Sequence, residues 1–392
     1  MFELENQPGN VDIKKYKTSA DKHSYVDDLA WIEKEEAENF LDVGIDVSEA
    51  SRSGTFIQKD ASIIHCKTKQ RGIDVMKISD AVKTDGQVAD YLWKNISADH
   101  DDFTSYAKEN PHEGYFIRAQ KGVKSVDPVQ ACLHIATESF SQNVHNIVIA
   151  EEDSDLHIIT GCSTSSHLTS GLHVGVSEFY IKKGATLRFT MIHDWGEKVD
   201  VRPRTVAVVE EGGVFVSNYI SMNPVGSLQM SPVTYLNGRN AVARFNSILV
   251  AGQGTHMDVG SNVVLNEPGS RAEIISRAIS TGGTIIARGN LTGKAEGIKA
   301  HLECKGLILK GGIIRAIPEL DARVPGVEMS HEAAVGKIDR REIEYLMSRG
   351  VDEDEAISTI VRGFLNVDIE GLPSSLAGKL DKVVAETQKD AM

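Results

Sequence analysis

Two stretches of this 392-residue chain hold side chains able to do chemistry. The first pairs HLECKGLILKGG, carrying Cys304, with VEMSHEAAVGKI, carrying His331 and Glu332. A thiolate near an imidazole suits iron, zinc or an iron–sulfur cluster better than magnesium or calcium. If the Cys304 segment alternates as a strand, Leu302, Cys304 and Gly306 share one face, and Glu303 and Lys305 the other. A turn into a following helix would expose His331 and Glu332 together. The second stretch runs from Gly161 to His173, GCSTSSHLTSGLH, with IHDWG beginning at Ile192. Cys162, His167, His173, His193 and Trp195 would converge only across stacked elements. One reading is a sulfur relay or a metal-access site; the other is inward-facing filling with turn histidines. On spacing alone, buried thiols and satisfied histidines are the commoner case at both places.

Familiar catalytic patterns are missing. No G-x-x-x-x-G-K-[ST] loop is present to cradle a triphosphate, and Gly252-Gln253-Gly254 lacks the third glycine of a dinucleotide fingerprint. No G-x-S-x-G or H-E-x-x-H occurs, since Ala333, Ala334 and Val335 follow Glu332. Net charge is −14, distributed as −8 over residues 1–150, +1 over 151–318 and −7 over 319–392. Without a basic stripe to displace counterions, nucleic acid is not an expected partner. Cys66, Cys132, Cys162 and Cys304 form no CxxC pair, which fits reduced thiols in a cytoplasmic protein. No apolar run approaches the ~20 residues of a membrane span, and MFELENQPGN lacks a secretory pattern. A membrane or secreted protein is not expected.

The elements that must position these residues fall into three regions. Residues 1–114 read as a mixed helical and α+β domain. Its signals are an amphipathic helix after Asp27-Asp28 (Leu29, Ile32, Phe40, Leu41) closing near Gly44, a second at Val88–Trp93, and a hairpin or edge strand in Ser51–Ile64. Residues 115–318 carry recurring β-branched segments such as HNIVIAEE, TLRFTMIHDW and VARFNSILVAG. Gly184, Gly213, Gly238, Gly269 and Gly283 each precede a strand-like run. Strand–turn repetition over such a length predicts a β-solenoid, with a pair of β-sandwiches as the rival. Residues 319–392 return to helix. Asp339 with Glu342 and Asp352 with Glu355 are helix starts, Gly350 is a stop, and a third segment after Pro373 carries Leu376, Leu380, Val383 and Val384. These helices either cap the solenoid or dock a partner.

At the same residues the chain resembles the SufB/SufD family of iron–sulfur cluster assembly proteins. MSHEAAVGKIDRREIEYLMSRGVDEDEAISTIVRGFL is similar to that family's S-H-[EG]-A-x-x-[GS]-x-[IL] signature and paired terminal helices. The block from GCSTSSHLTSGLH to IHDW is similar to its G-C-x-A segment and Q-N-W-type strand. The resemblance implies a right-handed parallel β-helix core, helical flanking domains and dimerisation through the β-helix. It also implies docking of the C-terminal helices on a SufC-like ABC-type ATPase, with sulfur donor and apo-acceptor proteins as further partners. Carried over, Cys304 matches the cysteine that ligates a nascent cluster, Glu332 its nearby carboxylate, and His331 the histidine that SufD contributes. Cys162 matches a second cysteine of sulfur acceptance, with Trp195 and His193 on the sulfur path. Having His331 and Glu332 on one chain fits a homodimer with two-fold related sites, and the compact length resembles the archaeal-type SufB-like proteins sometimes called SmsB. An N-terminal CxxC motif is absent, and His193-Asp194 stands where Gln-Asn is usual. The resemblance leaves room for a flavin, for which no residue pattern speaks.

The expectation is therefore a non-enzymatic scaffold for a transient iron–sulfur cluster, with ATP hydrolysed by a separate subunit. Two alternatives stand beside it. One is a SufD-like subunit that recruits iron and the ATPase without holding a cluster, against which Glu332 speaks. The other is a β-helix enzyme such as a polysaccharide lyase, for which no row of carboxylates and arginines is seen.

Overall fold

A short strand buries one face only if another strand stacks upon it, so a chain of such strands must coil. In the computed structural model, which describes residues 11–48 and 50–365, they form a parallel β-solenoid of about eight coils. Its coils contribute to a ten-stranded and an eleven-stranded sheet. Along the ten-stranded sheet, Thr186, Val214, Val242, Arg271, Lys299 and Glu328 are successive register partners, 28 or 29 residues apart. The step from Asp155 to Thr186 is longer, 31 residues. Parallel pairing of strands one coil apart excludes the sandwich reading.

Each coil turns a corner at a left-handed residue. Gly184, Gly212, Gly269, Gly297 and Gly326 occupy this place, and Asp153 and Asn240 take it where glycine is absent. Asn and Asp tolerate this region better than other side-chain-bearing residues. Gly238 serves a different need: a Cβ there would lie 1.9 Å from the Glu211 backbone nitrogen. Inside, like positions stack on like. Leu156, Leu187, Phe215, Ala243, Ala272 and Ala300 form one buried column down the ten-stranded sheet. Burial of each large member contributes about 1.5–3 kcal/mol.

The N-terminal region is tied into this stack. Of the two readings of Ser51–Ile64, the hairpin holds: Gly54–Lys59 pairs with Ser62–Thr68, which runs past Ile64, and Gly54–Lys59 also pairs in parallel with Val129–Ile135. The single helix expected after Asp27-Asp28 is interrupted. Asp28 accepts the Ala30 N–H and starts a 3-10 turn, Leu29–Trp31, which ends at extended Ile32 before the α-helix Lys34–Asp42 begins. Phe40 is buried, whereas Leu41 is exposed. The segment expected as a helix at Val88–Trp93 is a 3-10 helix, Gly86–Tyr91, begun by Asp85. It stops where Trp93 turns left-handed at φ 58.

Strand pairing continues past residue 318. Ile313–Ala322 pairs with Thr284–Gly293, and Glu328–Gly336 pairs with Lys299–Lys310. The helices Arg340–Ser348 and Glu353–Leu365 follow, begun by Asp339 and Asp352 as expected, with Gly350 left-handed between them. They do not cover the solenoid end. Val361 and Leu365 pack sideways in the cluster of Ile248, Val250 and Ile279, on the outer face of the ten-stranded sheet. The segment after Pro373 lies outside the described residues. No described helix is long and apolar enough to cross a membrane.

Replacing Gly238 by alanine should lower stability by about 1–3 kcal/mol, because a backbone neighbour cannot yield to the added carbon. Gly336→Ala, in open space, should leave the thermal unfolding midpoint unchanged. Equal midpoints for both variants would contradict the packing described.

Candidate functional site

Cys304 lies in the strand Lys299–Lys310, with Leu302 and Gly306 on the inner face as alternation predicts. It is 2% exposed. Burial pushes its thiol up to about 11; neighbouring Glu303 adds to the rise and Arg277 opposes it. Its register neighbours toward the N-terminal coils are polar: Ser276, then Ser247, then Tyr219. The Ser247 hydroxyl donates to Ser276 Oγ at 3.0 Å. Tyr219, Ser247 and Ser276 line an internal cavity of about 20 Å³, room for about one water. A polar column therefore leads away from Cys304 inside the solenoid.

His331 and Glu332 sit inside the edge strand Glu328–Gly336, not in the expected turn before the helix. A strand sends successive side chains to opposite faces, and this strand separates the pair. His331 is the register partner of inward Leu302, whereas Glu332 partners outward Glu303. Both are exposed. On the outer face Lys305 reaches Glu303 at 2.9 Å and Glu332 at 3.2 Å, and Arg277 closes on Glu303. Burial raises the Glu303 carboxyl, but Lys305 and Arg277 outweigh it and hold the group below the usual carboxylate range. Cys304 and His331 thus share the inner phase, while Glu332 belongs to a charged outer network. Among the described residues, no group of three or more His, Cys, Asp and Glu side chains is gathered as a metal site.

The second stretch converges further toward the N-terminus. Cys162 and His193 are register partners on Asp155–Thr164 and Thr186–Asp194, and both are buried. The rings of His193 and Trp195 stand 5.3 Å apart, and those of His173 and Trp195 5.0 Å apart. Tyr219 OH meets His193 Nδ1 at 2.8 Å. Burial raises the Cys162 thiol and keeps His193 neutral; His173 lowers His193 further. His167 alone of this set is exposed, on the loop beyond. Trp195 also lines a surface pocket of about 220 Å³ with Asn39, Ser163, Ser165 and Asp194. Sequence reasoning missed Tyr219, Ser247 and Ser276. Their signal was the 28- or 29-residue step back from Cys304, readable only once the coil length is known.

Residues 133–364, more than half of the chain, match the family described as "SUF system FeS cluster assembly, SufBD core domain". The chain belongs to the SufBD family. An "Iron-sulfur cluster assembly SufBD family protein" of Archaeoglobus fulgidus is 49% identical over 356 residues, covering 91% of this chain and 96% of its own length. One from Methanothermobacter thermautotrophicus is 45% identical over 382 residues, covering 96% and 93%. The "Iron-sulfur cluster assembly protein SufB" of Bacillus subtilis is 29% identical over 376 residues, covering 93% and 80%. This SufBD protein is thus of an iron–sulfur cluster assembly family, and its mainly β solenoid with helices toward both ends agrees with the fold the resemblance implied.

Because burial sets the Cys304 thiol, its alkylation in the native protein should keep rising about tenfold per pH unit well above pH 9. Peptide-resolved labelling measures this. At pH 8, half-buried Cys66 should react before buried Cys132 and Cys304. A Cys304 that labels faster in the folded than in the unfolded chain would contradict the assignment.

Proposed function

We propose that this SufBD protein is the scaffold on which a nascent iron–sulfur cluster is built, at a site shared between two copies of the chain. The observation that carries the reading is the solenoid end beside Cys304, which no described element covers. Within the described residues, Glu328–Gly336 is the last strand of its sheet, and Ile313–Ala322 pairs on one side only. Long open edges invite another strand, and Ile313, Leu320 and Val335 are exposed on these two. A two-fold partner continuing both sheets would bring two copies of Cys304, His331 and Glu332 to one interface. The cluster is cargo here. One thiolate per chain, with imidazole or carboxylate as harder partners, should hold it less firmly than four thiolates.

Loading needs a change at this end. Cys304 faces inward and Glu332 is engaged by Lys305, so the last coil must open before thiolate, imidazole and carboxylate meet on iron. In this reading the helices Arg340–Ser348 and Glu353–Leu365 drive such a change. Leu365 and Val361 grip the sheet, while Tyr345 and Met347 remain exposed. In this reading a SufC-like ATPase binds there, and its closure is passed to the outer face of the Cys304 coil. Sulfane sulfur would reach Cys304 from Cys162, past His193 and Trp195 and along the Tyr219, Ser247 and Ser276 column. The SufD-like alternative, recruitment of iron and ATPase without a cluster, would leave the buried Cys304 thiol without a task.

Anaerobic reconstitution with iron and sulfide should give a brown wild-type protein with stoichiometric iron and sulfide, and a nearly colourless Cys304→Ala variant. Equal iron in both would move the site elsewhere. Removing residues 339–392 should abolish co-purification with a SufC-like ATPase; retained association would sink the lever. Ile313→Lys with Leu320→Lys should turn a dimer into a folded monomer in sedimentation. An unchanged dimer would show that the edges are not the interface.

A further inference from the structure

Cys162 poses a chemical difficulty that its neighbours resolve. Its side chain is fully buried, and a bare thiolate in such a place is costly. Yet sulfur acceptance needs the thiolate as nucleophile. We propose that His193 is the general base of Cys162, with Tyr219 as its positioning residue, so that the three act as nucleophile, base and orienter. This rests on Cys162 being the sulfur acceptor, as read above.

Three features of the interior carry the assignment. Cys162 and His193 leave adjacent strands at the same register on the inner face, where parallel neighbours are about 4.8 Å apart. His193 Nδ1 is engaged by the Tyr219 hydroxyl at 2.8 Å, while Nε2 has no hydrogen-bond partner although the residue is 3% exposed. A buried polar atom without a partner is a standing cost unless function uses it. Trp195, whose indole N–H is likewise buried and unpartnered, stands between this group and the surface pocket of Asn39, Ser163, Ser165 and Asp194. A small sulfur donor thus has a mouth, a gate and an unfilled polar site behind it.

The tautomer with hydrogen on Nδ1, donating to the Tyr219 oxygen, leaves the Nε2 lone pair for the thiol proton. Transfer from Cys162 to Nε2 gives a thiolate–imidazolium pair with no net charge, which a buried site accommodates far better than a lone anion. The thiolate sulfur attacks the outer sulfur of a persulfide or polysulfide donor. The donor's S–S bond breaks, a Cys162–S–S bond forms, and the departing thiolate takes the proton back from Nε2. Sulfane sulfur moves, and no outside oxidant or reductant is consumed. The titratable groups facing His193 are Cys162, His173 and Tyr219; Asp194, next along its strand, instead accepts a hydrogen bond from Asn223.

The test follows persulfide formation at Cys162 by peptide mass spectrometry, with sodium tetrasulfide as donor, between pH 6 and about pH 10. Wild type should show a neutral plateau. His193→Gln should react about 10²-fold more slowly at pH 7, with the gap closing as hydroxide replaces the base. Tyr219→Phe should retain more of the rate and shift the profile. Equal rates for wild type and His193→Gln across the range would overturn the proposal. So would a wild-type rate that climbs steadily with pH, a measurement independent of whether the variants fold. If Cys162→Ala passes tetrasulfide sulfur to Cys304 as fast as wild type, the sulfur-path reading itself fails. If Cys162 is required but His193→Gln matches wild type, only the base assignment fails.

Discussion

Parallel stacking at fixed register is the constraint on which the rest of this molecule depends. Each inner side chain must be tolerated by the one lying at the same place a coil earlier and a coil later. An apolar column such as Leu156, Leu187 and Phe215 satisfies this by packing. A polar residue can do so only if its ladder neighbours are polar or water fills the gap, since an unpaired buried donor or acceptor costs about 1–3 kcal/mol. Tyr219, Ser247, Ser276 and Cys304 meet the condition together. The same rule that builds the core therefore aligns polar groups along it.

Register also divides the chemistry between two environments. The interior holds Cys162 and Cys304 away from water, with burial raising both thiols. Such thiols are protected against oxidation and unreactive until a base or a metal removes the proton. The last described strand, by contrast, puts His331 and Glu332 in solvent on opposite faces. Under the proposed function, assembly is the meeting of these two environments. A site that exists only when the last coil opens can form its cargo in one state and release it in another. Lys305 bridging Glu303 and Glu332 then acts as a latch on the outer face, one coil from the grip of Val361 and Leu365.

Much of this was legible in the sequence. β-branched runs punctuated by glycine pointed to a solenoid, and alternation in HLECKGLILKGG correctly placed Cys304 with Leu302 and Gly306. Asp339 and Asp352 announced the terminal helices because side-chain caps are local. What was not legible depended on stacking. Nothing in the Gly161–His173 block shows that Cys162 meets His193 while His167 stays outside, because the step between those coils is 31 residues and later ones are 28 or 29. The strand through His331 and Glu332 was hidden for a related reason. Its exposed edge carries few of the apolar alternations that mark a strand, and its partner strand, not its own composition, makes it extended. The helix after Asp28 is broken at Ile32 and Glu33, whose non-helical backbone separates the first turn from Lys34–Asp42.

The central claim, a cluster held by Cys304 at the open end of the solenoid, is tested most directly by locating the iron. Crystals of anaerobically loaded protein, measured at the iron absorption edge, should show anomalous density within bonding distance of Cys304 Sγ, between two copies of the chain. Iron bound stoichiometrically at any other place, with Cys304 still buried and uncoordinated, would contradict the account.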